Sequence, residues 1–372
     1  MNILYDHQIF IDQIYGGPSR YFFNLIREIE NKENIKVCAP LHVNKYLSQL
    51  PKTLVFGQNI DFLKLDILLP YRIQKIVKEN IINNVNLYYL NKSINNFKPN
   101  IIHKTYFDSY KTNLPVVLTV YDLIHEKFHD LYKKDSNFRP KKEAIERANE
   151  IICISKNTLN DLNHYYDLKD KKVSVIHLAS DLKENSFKTS KQQIYSKNNF
   201  LLYVGKRSLY KNFKNFVNAY SCSDKLKKDF KIYCFGGGKF TKDEIQIFKD
   251  LKIDDKIIHL EGDDNDLIYL YKNARALIYP SKYEGFGLPV LEAMSFNCPV
   301  ICSNTSSLPE VCEDAAAYFN PLSIDSINNK IIETVYSDNK IQELKLLGSK
   351  RIKLFSWENC ANKTTKIYNR LI

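Results

Sequence analysis

The second half of the chain alternates short apolar runs with helical stretches, and this alternation restricts the fold more than any other feature. Phe200-Leu201-Leu202-Tyr203-Val204 reads as a strand, followed by a helix from Phe213 to Lys225 and a strand at Lys231-Ile232-Tyr233-Cys234-Phe235. A helix over 241–251, a strand over 256–260, a helix over 264–273 and strands at Ala276-Leu277-Ile278-Tyr279 and Pro299-Val300-Ile301-Cys302 continue it. Elements in this order predict a parallel sheet covered on both faces. The first half has the same character in a less regular form, with strands over 2–5, 35–39, 101–103, 116–120 and 151–154 and a helix over 18–30. A chain of 372 residues exceeds one ordinary core, and two domains of about 150–200 residues each is the natural division. The polar segment 181–199 lacks apolar periodicity and reads as a linker between an N-terminal domain, 1–180, and a C-terminal domain, 200–356. A final helix runs from Trp357 to Leu371, with Ser356 as its N-cap.

Composition narrows the functional classes. No apolar run approaches the roughly 20 residues that span a bilayer. Met1-Asn2-Ile3-Leu4-Tyr5-Asp6 reads as an entering strand, without the basic start and apolar core of a signal peptide. The eight cysteines (Cys38, Cys153, Cys222, Cys234, Cys298, Cys302, Cys312 and Cys360) form no C-x-x-C pair. They read as reduced core residues of a cytosolic protein, not as a zinc site or a disulfide framework. A net charge of +12 suits phosphorylated substrates, an anionic membrane surface or nucleic acid; a Lys- and Asn-rich composition explains it equally well. Few aromatics interleave with the basic clusters, which argues against nucleic acid. Two stretches suit peripheral contact with an anionic membrane: Arg72–Lys78, with cations three apart on a helix, and the group Lys133, Lys134, Arg139, Lys141 and Lys142. A solvated helix face is the plainer account of each.

The loops after the strands carry the chemistry. In Tyr283-Glu284-Gly285-Phe286-Gly287-Leu288-Pro289-Val290-Leu291-Glu292, two glutamates eight apart bracket a glycine turn, and a proline stands where a helix begins. Strand, glycine turn, proline and helix is a layout that points free backbone N–H groups at an anion. Glu284 falls in the loop and Glu292 in the first helical turn, so both can face one crevice. A capped helix with a solvated glutamate on either side satisfies the same spacing. Gly205-Lys206-Arg207-Ser208-Leu209-Tyr210-Lys211-Asn212 directly follows a strand and puts three cations at a strand's C-terminal edge, where open α/β sheets bind ligands. Fixed Arg and Lys groups there would stabilise negative charge on a phosphorylated ligand without a metal.

Gly16-Gly17-Pro18-Ser19-Arg20 opens a helix, and its glycines permit close backbone approach to an anionic ligand. The buried strand 116–120 ends in Tyr121-Asp122-Leu123-Ile124-His125-Glu126. Ser155 reads as an N-cap, and Gly236-Gly237-Gly238 either wraps a nucleotide edge or makes a plain turn. His125-Glu126-Lys127-Phe128-His129 has the zinc-peptidase spacing, with His125 and His129 as ligands and Glu126 as base. That chemistry needs both histidines on one helix face and a third ligand, which Glu143 or Glu146 would supply only by chance of spacing. Paired carboxylates also suit a glycosidase, but that chemistry sets them on opposite sides of one bond, not around a basic phosphate loop.

Taken in order, these motifs resemble those of the family-4 retaining glycosyltransferases, whose E-x7-E motif matches Glu284 and Glu292. The likeness runs over nearly the whole chain, is densest from 200 to 320 and is weak from 40 to 100. It implies the α/β GT-B fold, two Rossmann-like domains facing across a cleft, with the 357–372 helix crossing back onto an N-terminal acceptor domain. The family's roles place Glu284 beside the transferred sugar and Glu292 on the nucleotide ribose. Arg207 and Lys211 fall on the diphosphate, with Lys206 a rival for the first role. The resemblance also assigns Gly16, Gly17, Phe286, Gly287 and Leu288 to the donor, Asp122 to orienting sugar or acceptor, and His125 to the acceptor side. Many members have His where this chain has Tyr121; a tyrosine hydroxyl can donate to a sugar oxygen but cannot carry a proton at neutral pH as His does.

The implied reaction is retaining transfer of a hexose from a nucleotide diphospho-sugar to a hydroxyl of a glycan or lipid-linked glycan, without metal or other cofactor. Likeness to polysaccharide and O-antigen mannosyl-type transferases favours a GDP-sugar. Such an enzyme is expected in the cytoplasm or at the inner face of the cell membrane. A zinc peptidase built on His125, Glu126 and His129 and a non-catalytic sugar-nucleotide or nucleic-acid binder are the competing readings.

Overall fold

The computed structural model describes residues 1–60, 81–132, 138–182 and 199–372. Arg72–Lys78, Lys133, Lys134 and all but the ends of the linker assigned to 181–199 lie outside these residues. The chain divides into two compact units, 1–178 with 357–372 and 179–356.

In the first unit, seven strands pair in the order β3-β2-β1-β4-β5-β6-β7, every pair parallel. They are β1 (Asn2–Tyr5), β2 (Asn34–His42), β3 (Val55–Asn59), β4 (Ile101–Lys104), β5 (Val116–Val120), β6 (Glu150–Cys153) and β7 (Lys172–Val175). Strands β4, β5 and β6 are buried along their whole length, as near-continuous Val and Ile runs require when helices cover both faces. The helices are α1 (Gln8–Asp12), α2 (Gly17–Ile29), α3 (Asn83–Phe97), α4 (Ile124–Lys127), α5 (Phe138–Arg147) and α6 (Lys156–Tyr165). The Ser155 side chain accepts the Thr158 N–H at 3.0 Å and starts α6, the capping role its position predicts. Helix α3 and strand β3 fall in the 40–100 stretch that sequence pattern does not resolve. There Asn86 of α3 accepts the Leu41 N–H and donates to the Leu41 carbonyl, beside the register shift between Cys38 and Leu41 in β2.

The second unit holds β8 (Phe200–Val204), β9 (Lys231–Phe235), β10 (Ile257–Leu260), β11 (Ala276–Tyr279), β12 (Val300–Ser303) and β13 (Ala316–Phe319). Their order is β10-β9-β8-β11-β12-β13, again all parallel. Its helices are α7 (Phe213–Ser221), α8 (Asp224–Asp229), α9 (Lys242–Asp250), α10 (Asp264–Asn273), α11 (Leu288–Ser295), α12 (Leu308–Cys312), α13 (Ile324–Val335) and α14 (Asp338–Arg351). The single helix expected from Phe213 to Lys225 is two, because Ser223 accepts the Leu226 N–H and starts α8 anew. Capping boxes, Thr241 with Glu244 and Asp263 with Asp266, begin α9 and α10.

Both sheets are doubly wound, and each reverses direction at one switch point: between β1 and β4 in the first, between β8 and β11 in the second. Ligands of such sheets bind at the carboxyl ends of the strands beside that point. The last helix, α15 (Trp357–Asn369), belongs to the first unit. Tyr368 at its end shares hydrogen bonds with His103 Nδ1 at 2.6 Å and the Tyr5 hydroxyl at 3.0 Å.

Candidate active site

In the second unit, the loops that leave β8 and β11 meet at the switch point. Lys282 donates its N–H to the Tyr210 carbonyl at 2.7 Å, and Asn212 donates its amide to the Pro280 and Pro321 carbonyls. These bonds set Lys211 against Glu284, with Nζ 2.7 Å from Oε1. Both side chains keep part of their surface, 19% for Lys211 and 10% for Glu284. The Glu284 loop is clamped from below: its N–H donates to Ser306 Oγ, and Ser307 Oγ donates to the Glu284 and Phe286 carbonyls.

Gly287 caps α11 with φ +98°, a backbone that demands glycine, and a Cβ there would also have to displace a Leu308 methyl 2.8 Å away. Leu288 and Pro289 open the helix, half-buried, while the Phe286 side chain is buried against the Phe355 ring. Phe286 therefore offers a ligand its backbone and not its ring. Glu292 lies in the second turn of α11, not the first; it is 5% exposed, and the Tyr271 hydroxyl donates to its Oε2 at 3.1 Å.

Arg207 sits differently from the expectation of a cation open to a diphosphate. Its side chain is 3% exposed, Nε donates to Glu244 Oε1 at 2.8 Å, and the two Nη atoms donate to the carbonyls of Gly236, Gly238 and Lys239. The guanidinium also lies 4.8 Å over the Phe240 ring. Burial raises the Glu244 carboxyl, but Arg207 and the Thr241 amide outweigh it and hold that group below its usual range. Gly236, Gly237 and Gly238 all have φ between +72° and +76°, a path that Arg207 ties down. Cations with open surface at this edge include Lys206, which is exposed, and Lys211, which is half-buried. Sequence reading passed over Glu244, Ser306 and Ser307; the capping box at Thr241 was the one local signal of the first.

In the first unit, Gly16 caps α2 with extended backbone, and the Gln13 side chain accepts the Ser19 N–H at 3.1 Å, so this helix start is partly satisfied from within. Tyr121 is 5% exposed, its hydroxyl donates to the Thr105 carbonyl at 3.2 Å, and its ring packs among Tyr21, Phe22 and Tyr106. That arrangement assigns the hydroxyl to the fold before any sugar. Asp122 is half-buried, and its Oδ1 accepts the Ile124 N–H at 3.2 Å. His125 is half-buried beside Tyr132.

The zinc-peptidase reading fails on geometry. Helix α4 ends at Lys127, and His129 begins a separate 3-10 turn, so the two histidines do not share a helix face. Glu126 accepts from Lys141 Nζ at 2.9 Å and from the Tyr166 hydroxyl at 2.6 Å, which makes it a strut between α4, α5 and the end of α6. Among the described residues, no three His, Cys, Asp or Glu gather as a metal site. The same contacts remove Lys141, 1% exposed, from the membrane-facing group, while Arg139 pairs with Glu143 and Lys142 approaches Glu146 at 3.9 Å. All eight cysteines are free thiols, and only Cys222 is exposed. No helix among the described residues is long and apolar enough to cross a membrane.

Known proteins agree with this architecture. Residues 15–184 match the family described as Glycosyltransferase Family 4, and residues 184–346 match Glycosyl transferases group 1. O-antigen chain mannosyltransferase B of Escherichia coli is 47% identical over 108 residues, 29% of this chain and 28% of that protein. O-antigen chain mannosyltransferase RfbU of Salmonella typhimurium is 32% identical over 207 residues, 55% of this chain and 56% of that protein. The matches thus span about a quarter to a half of these relatives' lengths. The sucrose-phosphate synthase of Thermosynechococcus elongatus superposes with a TM-score of 0.77 at 16% identity, covering 100% of this chain and 98% of that one. That likeness gives the fold, GT-B. With the two matches lying in tandem over residues 15–346, the chain belongs to the glycosyltransferases that join a family 4 domain to a group 1 domain.

Proposed function

We propose that this protein transfers a hexose, with mannose favoured, from a nucleotide diphospho-sugar to a hydroxyl of a glycan or lipid-linked glycan, with retention of configuration at the sugar. The observation that carries the reading is the Lys211–Glu284 pair at the second sheet's switch point, beside the N-terminus of α11. A diphosphate bound here meets Lys211, Lys206 and the α11 amides, fixed positive groups aimed at the charge that grows as the sugar leaves. Binding it would draw Lys211 from Glu284 and free that carboxylate for the sugar. Glu292, oriented by Tyr271, is suited to the ribose hydroxyls. With those cations in place, the chemistry needs no metal and no further cofactor.

In a same-face displacement, the acceptor oxygen attacks the anomeric carbon as the bond to the β-phosphate oxygen breaks. The acceptor proton passes to that phosphate oxygen. Net charge, the O-antigen mannosyltransferase relatives and the basic donor edge together favour GDP-mannose as donor and a lipid-linked glycan at the inner membrane face as acceptor. The test is a thermal-shift and transfer panel of GDP-, UDP- and ADP-sugars in the presence and absence of a chelator. Stabilisation and turnover by a GDP-sugar, unaffected by chelation, is the expected result. Loss of turnover on chelation would overturn the metal-independent mechanism, and turnover with UDP-sugars alone would overturn the choice of base.

A further inference from the structure

Four residues that follow the strands of the first sheet form one hydrogen-bonded girdle along its carboxyl edge. Asp6 follows β1, Thr105 follows β4, Tyr121 follows β5 and Ser155 lies two residues beyond β6. Thr105 is the knot. Its N–H donates to Asp6 Oδ1 at 2.8 Å, and its hydroxyl donates to the same oxygen. The hydroxyl oxygen accepts the Ile9 N–H at 3.2 Å, and the carbonyl accepts the Tyr121 hydroxyl at 3.2 Å. From Tyr121 the chain of bonds continues: its carbonyl accepts from Thr158 Oγ1 at 3.3 Å, and Thr158 shares a 3.0 Å bond with Ser155 Oγ. Asp6, Thr105, Tyr121, Ser155 and Thr158 are all buried.

The girdle crosses the switch point between β1 and β4, passes through Tyr121, next in the chain to Asp122 and close before α4 with His125, and ends at Ser155, the N-cap of α6. We propose that Asp6 is a positioning residue for sugar transfer, acting through Thr105 and Tyr121 on the Asp122 loop; the inference rests on the transferase reading above. It also gives Tyr121 a role of its own. A tyrosine hydroxyl reaches back to the Thr105 carbonyl and locks the loop.

Asp6 is the ionisable end of the girdle. One oxygen accepts both bonds from Thr105, and the other, Oδ2, is buried without a hydrogen-bond partner among the described residues. Burial first, and the Asp108 carboxylate second, push its carboxyl up to about 7, while Lys104 and the Thr105 bonds pull the other way. Lys104 contacts Asp108 and donates to the Tyr110 carbonyl, and Gln8 donates to Asp108 at 3.4 Å. Burial chiefly lowers the imidazole of His7, also beside these charges, below its ordinary value. Ionised Asp6 holds Thr105 by charge-assisted bonds, about twice as strong as neutral ones, so the locked loop is the high-pH form.

The test compares Asp6→Asn, which keeps an acceptor oxygen and cannot ionise, with Asp6→Ala and Tyr121→Phe. Wild-type kcat should rise about fivefold through pH 7, and Asp6→Asn should be flat at the lower level with donor KM unchanged. Asp6→Ala should lose about tenfold in kcat, and adding Tyr121→Phe should cost nothing further because both act on one path. A pH limb that persists in Asp6→Asn, or losses that multiply in the double variant, would overturn the proposal. Should Asp6→Ala fail to fold, Asp6→Asn and Tyr121→Phe carry the test. If the wild type transfers no sugar from any donor, the functional reading fails instead. Amide exchange then judges the girdle: faster exchange at 121–123 in Asp6→Asn at high pH and in Tyr121→Phe supports it, and unchanged exchange sinks it.

Discussion

At the carboxyl edge of the second sheet the cations stay partly open to solvent, Lys206 exposed and Lys211 half-buried, and Lys211 meets the buried Glu284 across loops. At the same edge of the first sheet the polar groups are buried and bound to one another, from Asp6 through Thr105 to Tyr121 and Thr158. Two sheets of one winding thus carry unlike devices. The open edge suits a charged ligand that must enter and leave, because exposed cations lose little on changing partners. The closed edge suits geometry that must not move, because each buried bond is costly to leave unmade.

The largest expected effects lie at the open edge. Glu284→Ala should lower kcat by about a hundred- to thousandfold, and Lys211→Ala by a similar or slightly smaller factor. Each should cost no more stability than Arg207→Lys, since the pair is only partly buried, with side chains 19% and 10% exposed. Activity within a few-fold of wild type in Glu284→Ala would remove the site from this edge. A large fall in melting temperature would instead make the pair a structural one, and the contrast between the edges would disappear.

Arg207 breaks the pattern within its own unit. It lies at the open edge yet is buried and spent on Glu244 and three carbonyls. Removing one partner of a buried pair costs about 3–5 kcal/mol, and Glu244 retains 19% exposure, so a smaller loss is expected here. Arg207→Lys should therefore raise donor KM about tenfold through a loosened glycine loop, with a stability loss of about 2 kcal/mol in urea unfolding. Glu244→Gln should show the same pair of defects in weaker form. A pure kcat defect with unchanged stability in Arg207→Lys would return the guanidinium to the diphosphate, as the family resemblance implies.

The contrast also explains what the sequence discloses. The second unit's edge is written locally: Glu284, Gly287, Pro289 and Glu292 fall within ten residues, and Lys206 to Asn212 directly follow a strand. Helix starts at Ser155 and Ser223 are likewise local, although Ser223 ended the helix drawn through it. The girdle joins Asp6 to Thr105, 99 residues apart, and no spacing rule reaches that far. Tyr121 was visible as a departure from His, but its partner was not. Between 40 and 100 the signal itself is weak. Strand β3 lies at a sheet edge with mostly exposed residues, and α3 is rich in asparagine, a poor helix former, held by Asn86 on β2.

The smallest effect is the one that separates buried bonding from catalysis most cleanly. His103 is wholly buried between Tyr368 of α15 and Thr119 of β5, with Nε2 2.9 Å from Thr119 Oγ1. Burial holds its imidazole down to about 3, against an ordinary 6.5. The unfolded imidazole takes up a proton below 6.5 and the folded one does not, so this stability is present above 6.5 and falls as pH drops toward 3. Each such group gives a slope of up to about 1.4 kcal/mol per pH unit, and His42, held down to about 4 by burial, adds its own. His103→Gln should remove one group's share of the slope in urea unfolding between pH 6 and 4.5. Tyr368→Phe should cost about 1 kcal/mol at pH 7 and leave most of the slope in place, because burial and not the hydrogen bond keeps His103 neutral. Equal slopes in wild type and His103→Gln would mean that the imidazole is protonated in the fold. The returning helix would then be pinned by a charge, and the first unit's closed core would resemble the open edge after all.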